Sequence, residues 1–238
     1  MTVLVVRRDD NFSQMLRDAG IEVINFDLIA TEVLKDLGEF ENLIPGLDGY
    51  AGIFFTSPVA ARVFVDKVEP SLQPTLYALG HRASAVLIEA GFAVKTITEA
   101  NTAEEMLTAF GDDEFAGKKL LFVRGERSMR TVPDRIGGIA KVDEVAVYRT
   151  VEIDPGDGLV KDVRERLASA KIEWTCFFSP SAVEAFVKRF VTLEVRTAAI
   201  GETTAARARD LGFKVELIAS GATNEVFAGE LIKRIRRV

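Results

Sequence analysis

The sequence has very little cysteine or histidine: its 238 residues include one of each, Cys176 and His81. A single cysteine excludes a disulfide framework, and its place in an apolar run indicates a buried side chain. Zinc sites and cysteine–histidine nucleophilic pairs need more of these side chains, so we expect no metal and no catalytic thiol. No Ser-His-Asp order is present either, which leaves reactions helped by positioning, a weak acid and electrostatics.

The chain also lacks an excess of positive charge and long apolar runs. Its formal net charge is −6, whereas nucleic-acid-binding proteins usually present a basic face. No apolar run approaches the ~20 residues of a membrane span, and the N-terminal MTVLVVRRDD turns charged too early for a signal peptide. We therefore expect a cytoplasmic protein with no nucleic-acid or membrane partner.

Glycine-rich nucleotide motifs are missing as well. No G-x-G-x-x-G follows a predicted strand, and no G-x-x-x-x-G-K-[ST] occurs. This disfavours the hypothesis of a sugar or nucleotide enzyme on a doubly wound fold.

What the chain does contain is apolar residues, 48% of the total, enough for a substantial core. Short apolar segments alternate with helical patterns. TVLVV is followed by a helix that carries Phe12 and Leu16, Gly20 ends that helix, and IEVINF reads as the next strand. This β–α–β order predicts a parallel sheet.

The same series of segments occurs twice. FFTSPVAARVF, which begins at Phe54, matches CFFSPSAVEAF, which begins at Cys176. TLYALGHRASAVLIEAGFAVKTI matches TAAIGETTAARARDLGFKVELI in the same order. We therefore predict an α/β protein of two similar domains, each a parallel sheet flanked by helices on both faces.

Candidate ligand-binding residues lie where the predicted strands end and helices begin. Ser57 and Ser179 each precede a proline, and Gly201 precedes Thr203 and Thr204. In open parallel sheets ligands bind at the carboxyl ends of the strands, and helix N-termini suit carboxylates or phosphates. Each residue alone is better explained as a helix cap. The doubled set favours an anionic ligand shared by two facing domains.

A cluster of arginines follows another predicted strand. VRGERSMR gathers Arg124, Arg127 and Arg130, which would favour carboxylates through charge-assisted hydrogen bonds. A solvated turn explains the same cluster, so both interpretations stay open.

Four segments together resemble a known family. FFTSP, VAVYRTVE, FFSPSAVEAF and AAIGETTAARARDLGF closely resemble uroporphyrinogen-III synthases, in the right order and over essentially the whole chain. The resemblance implies that hydroxymethylbilane, a linear tetrapyrrole, is cyclised to uroporphyrinogen III with inversion of ring D and loss of water, through a spiro intermediate. It implies a cyclising lyase that works without a cofactor, as a monomer. Acetate and propionate groups on each pyrrole match the anionic ligand predicted above.

The resemblance also implies a discontinuous domain. Residues 1–26 with 154–238 form one domain and 35–144 the other, joined by linker strands at 27–34 and 145–153. The internal repeat alone would have suggested two contiguous halves.

Site residues carry over from the family one by one. Tyr148 matches a tyrosine whose proposed role is to help the hydroxyl leave; the alternative is a strand residue packed at a hinge. Gly201, Thr203 and Thr204 match a turn that holds the substrate. Ser57 and Ser179 match the two Ser-Pro helix starts, and the arginines of VRGERSMR complete the substrate-binding set.

Three positions depart from the family pattern. Ala83 stands where the family usually has threonine, Val59 where it often has a basic or polar residue, and Arg130 lies one residue further from Gly125 than usual. A non-catalytic clamshell that binds a small anion is the alternative function. No DNA-binding or receiver region occurs in the sequence, which favours the enzyme.

Overall fold

The computed structural model describes residues 1–97, 100, 102–190 and 195–237. The chain forms two compact units, unit 1 with Met1–Ala30 and Val151–Val238, and unit 2 with Thr31–Thr150. The chain therefore passes from unit 1 to unit 2 and back once.

Strands and helices alternate along most of the chain. The strands are β1 (Thr2–Val5), β2 (Glu22–Asn25), β3 (Ile29–Val33), β4 (Gly52–Phe55), β5 (Thr75–Ala78), β6 (Val94–Lys95), β7 (Lys119–Gly125), β8 (Lys141–Glu152), β9 (Ile172–Phe177), β10 (Arg196–Ala199) and β11 (Val215–Ile218). The α-helices are α1 (Asn11–Asp18), α2 (Gly38–Leu43), α3 (Pro58–Val65), α4 (Gly80–Glu89), α5 (Ala103–Phe110), α6 (Thr131–Ile136), α7 (Asp157–Ala168), α8 (Pro180–Val187), α9 (Glu202–Asp210) and α10 (Asn224–Ile235). Short 3-10 helices follow α2 and α5, at Ile44–Gly49 and Asp112–Glu114.

Unit 1 contains one parallel sheet, in the order β11-β10-β9-β1-β2. Its central strands are buried on both faces because helices cover both sides. Val3 and Val5 belong to a core that includes residues of α1 and α10, whereas Leu4 between them belongs to a second core that includes residues of α7, α8 and α9. The alternation of side chains along a strand thus feeds two separate cores.

Unit 2 contains a six-stranded sheet in the order β3-β8-β7-β4-β5-β6, and the pairs from β8 to β6 are parallel. Ile53 and Phe55 of β4 face one core, which residues of α3 and α4 complete. Phe54 faces the other core, where its ring stacks on Tyr77 at 4.8 Å between centroids. Unit 2 thereby repeats the two-core plan of unit 1.

The predicted fold class, two similar units each with a parallel sheet flanked by helices, is confirmed. Gly91 and Gly212, which the repeat aligned, have φ of +91° and +89° at the ends of α4 and α9, a conformation that glycine adopts without strain. In the first repeated segment the apolar end FAVKTI contains only β6, a two-residue strand at the edge of the sheet. Among the described residues, no helix has both the length and the apolar character of a membrane span.

Candidate functional site

The carboxyl ends of the strands carry all the predicted site residues except Tyr148, which lies within β8. In unit 1, β9 leads through Ser179 into α8, and β10 leads through Gly201 into α9. In unit 2, β4 leads through Ser57 into α3, and β7 leads into the arginine-rich turn. Each sheet therefore presents its candidate residues at the carboxyl ends of its strands, where open parallel sheets bind ligands.

Ser57 and Ser179 cap their helices as the Ser-Pro pattern predicted. The Ser57 hydroxyl accepts a hydrogen bond from the Val59 backbone N–H at 3.2 Å, and the Ser179 hydroxyl accepts one from Ala182 at 3.2 Å. Both serines are half-buried. A hydroxyl also has a proton to donate, so each cap keeps one donor for a ligand, and substrate contact at both positions stays a prediction.

The start of α9 has no side-chain cap. Its N-cap residue is Gly201, in an extended conformation, so no cap side chain accepts a hydrogen bond from the first backbone N–H groups of the helix. Thr203 is exposed on this first turn, whereas Thr204 is buried at 4% exposure. Such an open helix start offers amide donors and a positive dipole end to an anion.

The three arginines of the turn after β7 differ in what they contact. Arg127 is exposed and has neither an ion-pair nor a hydrogen-bond partner within the described ranges. Arg130 is also exposed, and its Nη1 lies 3.0 Å from Glu144 and its Nε 3.5 Å from Asp134. Arg127 therefore has the most donors available to a ligand.

Arg124 is turned toward its own chain. Its Nε lies 2.8 Å from a carboxylate oxygen of Glu144, as an ion pair rather than an aligned hydrogen bond. Its Nη1 donates to the backbone carbonyls of Gly125, at 2.8 Å, and Glu126, at 3.0 Å. A contact between Arg124 and a substrate stays a prediction, and these three interactions already occupy two of its nitrogens.

Tyr148 lies half-buried in β8, with its ring against the backbone of Gly125. A Cβ atom added to Gly125 would lie 2.5 Å from Cζ of the Tyr148 ring, so only glycine allows this approach. The ring packs against the core that contains Val145 and Val147. Its hydroxyl makes no hydrogen bond to any residue in the described part of the chain, so the phenol proton is available to a ligand.

The positions that depart from the family pattern provide no substitute donors. Ala83 is buried, and the neighbouring Ser84 hydroxyl donates to the carbonyls of Gly80 and His81, each at 3.1 Å. Ser84 is therefore tied to its own helix. At Val59 the backbone N–H already donates to the Ser57 cap.

Sequence reasoning missed two charged residues at the ends of β1 and β2. The Arg7 guanidinium stacks on the Phe178 ring, 4.2 Å from its centroid, and forms an ion pair with Asp10. Burial raises the pKa of the half-buried Asp27 carboxyl, and hydrogen bonds from the backbone N–H groups of Ile29 and Arg8 partly offset this. The sequence contained a signal for Arg7, because TVLVVRR occupies the same place in the repeat as KKLLFVRG, which contains Arg124.

Among the described residues, the cysteine thiol and clusters of metal-ligating side chains add no reactive group at the carboxyl ends of the strands. Cys176 is fully buried, and burial strongly raises the pKa of its thiol. No group of three or more histidine, cysteine, aspartate or glutamate side chains within the described ranges is arranged to hold a metal ion.

Comparison with known proteins places these features in context. A family model described as uroporphyrinogen-III synthase HemD matches residues 10–228. The uroporphyrinogen-III synthase of Chlorobaculum parvum is 26% identical over 253 aligned positions that cover 99% of each chain. A relative of the same name from Schizosaccharomyces pombe is 27% identical over 115 positions, 48% of this chain and 43% of its own.

Solved structures share the fold. Uroporphyrinogen-III synthetase from Helicobacter pylori superposes with a TM-score of 0.68 at 17% identity, covering 99% of both chains. A mutant uroporphyrinogen III synthase from Thermus thermophilus gives 0.64 at 16% identity, covering 100% of both. At this identity the likeness establishes the fold, and the match of the family model over residues 10–228 establishes the kinship.

Proposed function

The chain belongs to the uroporphyrinogen-III synthase family, and from that membership we propose that it converts hydroxymethylbilane to uroporphyrinogen III. The reaction releases the terminal hydroxyl as water, inverts ring D through a spiro intermediate and closes the macrocycle, which classes the enzyme as a cyclising lyase. The match of the family model to residues 10–228 carries the proposal. The donors at the strand ends of each unit support it.

In unit 1 the start of α9 binds a substrate carboxylate in this proposal. The uncapped amides after Gly201 and the exposed Thr203 hydroxyl supply donors in one turn of helix. Hydrogen bonds to a charged acceptor are about twice as strong as those between neutral groups. Ser179, with the proton that its capping role leaves free, supplies a further donor at the neighbouring strand end.

In unit 2 the donors are the Ser57 hydroxyl and the Arg127 guanidinium. Ser57 keeps its proton because it caps α3 as an acceptor. Arg127 is exposed and unpaired among the described residues. Local donors of this kind explain how a chain of net charge −6 binds a polycarboxylate, because nearby groups outweigh distant charges that solvent and salt screen.

Tyr148 assists the departure of the hydroxyl in this proposal. Its own hydroxyl, which has no partner among the described residues, donates a hydrogen bond to the leaving oxygen as the carbon–oxygen bond breaks. A phenol is a weak acid at neutral pH, so we expect Tyr148→Phe to lower turnover by only about tenfold, below the usual range for general acids. The choice of ring-D carbon then follows from how the carboxylate arms are held.

The product isomer tests the function. The purified protein is mixed with hydroxymethylbilane without any added metal or organic cofactor, and the porphyrinogens are oxidised and separated by chromatography. We expect the type III isomer, with heat-denatured protein as the control. Spontaneous closure gives type I, so type I alone, formed at the uncatalysed rate, would show that the chain is not this enzyme.

Cellular context and domain roles are part of the same proposal. We expect a cytoplasmic monomer of 26.1 kDa whose partner is its small-molecule substrate, with no nucleic acid or membrane. Residues 27–34 and 145–153 serve as the strands that link domains 1–26 with 154–238 and 35–144. Sedimentation of the purified protein at micromolar concentration tests the monomer, and a dimer would contradict it.

A further inference from the structure

We infer that Arg124 and Glu144 form a positioning pair, which fixes the turn on which the Tyr148 ring rests. The contribution of this pair to the reaction rests on the proposed function, because only that proposal gives Tyr148 a role in catalysis. The effect of the pair on the Tyr148 ring does not depend on that role and is measured separately below.

The pair is mostly buried. The Arg124 and Glu144 side chains are 19% and 17% exposed, and the closest atoms are 2.8 Å apart. Two charges removed from water are stable only when close pairing and further hydrogen bonds offset their lost hydration. Arg124 is therefore held by its own chain, unlike the exposed Arg127 three residues later.

Arg124 uses its remaining contacts to fix the turn. Its Nη1 donates to the carbonyls of Gly125 and Glu126, the two residues that follow it. Within the same turn, the Gly125 N–H donates to the Ser128 hydroxyl at 3.0 Å, and the Ser128 N–H donates back to the Gly125 carbonyl at 3.1 Å. These contacts hold the Gly125 backbone at its N–H and its carbonyl, and the Glu126 backbone at its carbonyl.

Gly125 and Glu126 are also the residues that contact Tyr148. The Glu126 N–H donates to the Tyr148 carbonyl at 2.9 Å, and the ring lies on Gly125. Arg124 lies opposite Ala146 while Gly125 lies opposite Tyr148, so β8 has one extra residue at this point. A bulge of this kind re-aims a side chain. Here Val147 and Tyr148, neighbours in sequence, both pack against the same core.

Two roles for Arg124 make opposite predictions for Glu144→Gln. If Arg124 and Glu144 position Tyr148, removing the charge loosens the turn, so kcat falls while KM holds. If Arg124, or Arg130 on the other Glu144 oxygen, instead binds a substrate carboxylate, removing this internal competitor frees a guanidinium, so KM falls while kcat holds. A misplacement of 1 Å costs about a hundredfold in rate, and for the smaller shift expected of a loosened turn we predict kcat about tenfold lower with KM within about twofold.

The tyrosine content allows the ring to be observed directly. The chain has three tyrosines, Tyr50, Tyr77 and Tyr148, so labelling with 3-fluorotyrosine gives three fluorine NMR lines, assigned by Tyr→Phe variants. Without substrate, we expect Glu144→Gln to shift or broaden the Tyr148 line. The Tyr77 line should hold, because Tyr77 lies on β5, which β7 and β4 separate from β8, and its hydroxyl donates to Glu114.

Asp143→Asn is the matched control. Asp143 precedes Glu144 and also pairs with a cation of β7, its carboxylate lying 3.5 Å from Lys119 Nζ. It accepts a hydrogen bond from the Tyr50 hydroxyl at 2.8 Å, so this variant should move the Tyr50 line, leave the Tyr148 line in place and leave kcat unchanged. If Glu144→Gln leaves the Tyr148 line where it was, the positioning pair is refuted whatever the kinetics show.

Gly125→Ala perturbs the same contact without touching a charge. The added methyl would lie 2.5 Å from the Tyr148 ring, so the ring must move, and we expect the Tyr148 line to shift and kcat to fall with KM held. Arg124→Lys keeps the charge but loses the guanidinium that reaches Glu144 through Nε and both carbonyls through Nη1, and should shift the Tyr148 line as Glu144→Gln does. If the line moves in all three variants while kcat holds, the pair positions the ring and it is the role of Tyr148 in the reaction that fails.

Discussion

Replacing Ser179 by aspartate separates helix capping from substrate binding. Aspartate, asparagine and serine are near-equal N-caps, so the hydrogen bond now made from the Ala182 N–H to Ser179 is kept in both variants. Aspartate also adds a negative charge at the positive end of α8, which favours the fold by about 0.3–1 kcal/mol. Ser179→Asp should therefore melt at or above the temperature of Ser179→Asn.

The same charge should weaken the binding of a polycarboxylate. Two like charges about 4 Å apart repel by about 1 kcal/mol in water and about 4 kcal/mol near a protein surface. Ser179 is half-buried, so we take about 2 kcal/mol, which is roughly thirtyfold in kcat/KM. Because the repulsion acts on bound substrate and transition state alike, it should appear in KM rather than kcat.

The assay is steady-state formation of type III product by Ser179→Asp, Ser179→Asn and the parent, at low and at physiological ionic strength. We expect the aspartate variant alone to lose affinity, and the loss to shrink as salt screens the added charge. If the aspartate and asparagine variants have equal KM, Ser179 does not face a substrate carboxylate. A lower melting temperature for Ser179→Asp would show that the capping argument is also wrong.

Three further predictions follow from single residues. Arg127→Gln removes an exposed cation without an ion-pair partner among the described residues, and we expect a KM about fivefold higher, from about 1 kcal/mol of lost binding free energy. The control variant Lys118→Gln, at the amino end of β7, should leave KM unchanged. Equal effects of the two variants on KM would show that Arg127 does not contact the substrate. Burial raises the pKa of Asp27 above its ordinary 3.8, so its contribution to stability is present below pH 3.8 and is lost as the pH rises through the raised pKa. Thermal melts should then show Asp27→Asn gaining on the parent between pH 3.5 and pH 7, and a constant difference would contradict this. Cys176 is fully buried with a raised thiol pKa, so thiol reagents should react only after unfolding, and fast labelling of the native protein would overturn its assigned burial.

Local signals in the sequence were enough to predict most of the fold. Ser57-Pro58 and Ser179-Pro180 marked helix starts because a capping hydroxyl and a proline at the first helical position act within a few residues. The buried strands were recognisable because a sheet covered on both faces demands continuous apolar runs. Helix α7 was not predicted, although Val163 and Leu167 recur at helical spacing and are buried in the structure.

The details around Tyr148 depend on long-range pairing, which no local pattern encodes. In the sequence, Arg124, Arg127 and Arg130 look like equivalent cations. In the structure Glu144, which is distant in sequence, forms ion pairs with Arg124 Nε and with Arg130 Nη1. The bulge in β8 that re-aims Tyr148 is likewise a property of the register between two strands. The sequence therefore allowed candidate site residues to be proposed, but it could not show which of them bind other residues of the chain and which have donors free for a ligand.

Amide chemical shifts measured during an anaerobic titration with uroporphyrinogen III test the central claim most directly. The claim is that the helix starts at the carboxyl ends of the strands bind the carboxylate groups of the tetrapyrrole. It predicts the largest proton shifts at the amides of Thr203 and Thr204, and smaller shifts at the Val59 and Ala182 amides that donate to the Ser57 and Ser179 hydroxyls. It predicts little change at Lys119 and Lys141, where β7 and β8 begin. Shifts concentrated at the amino ends of the strands, with the helix starts unmoved, would contradict it.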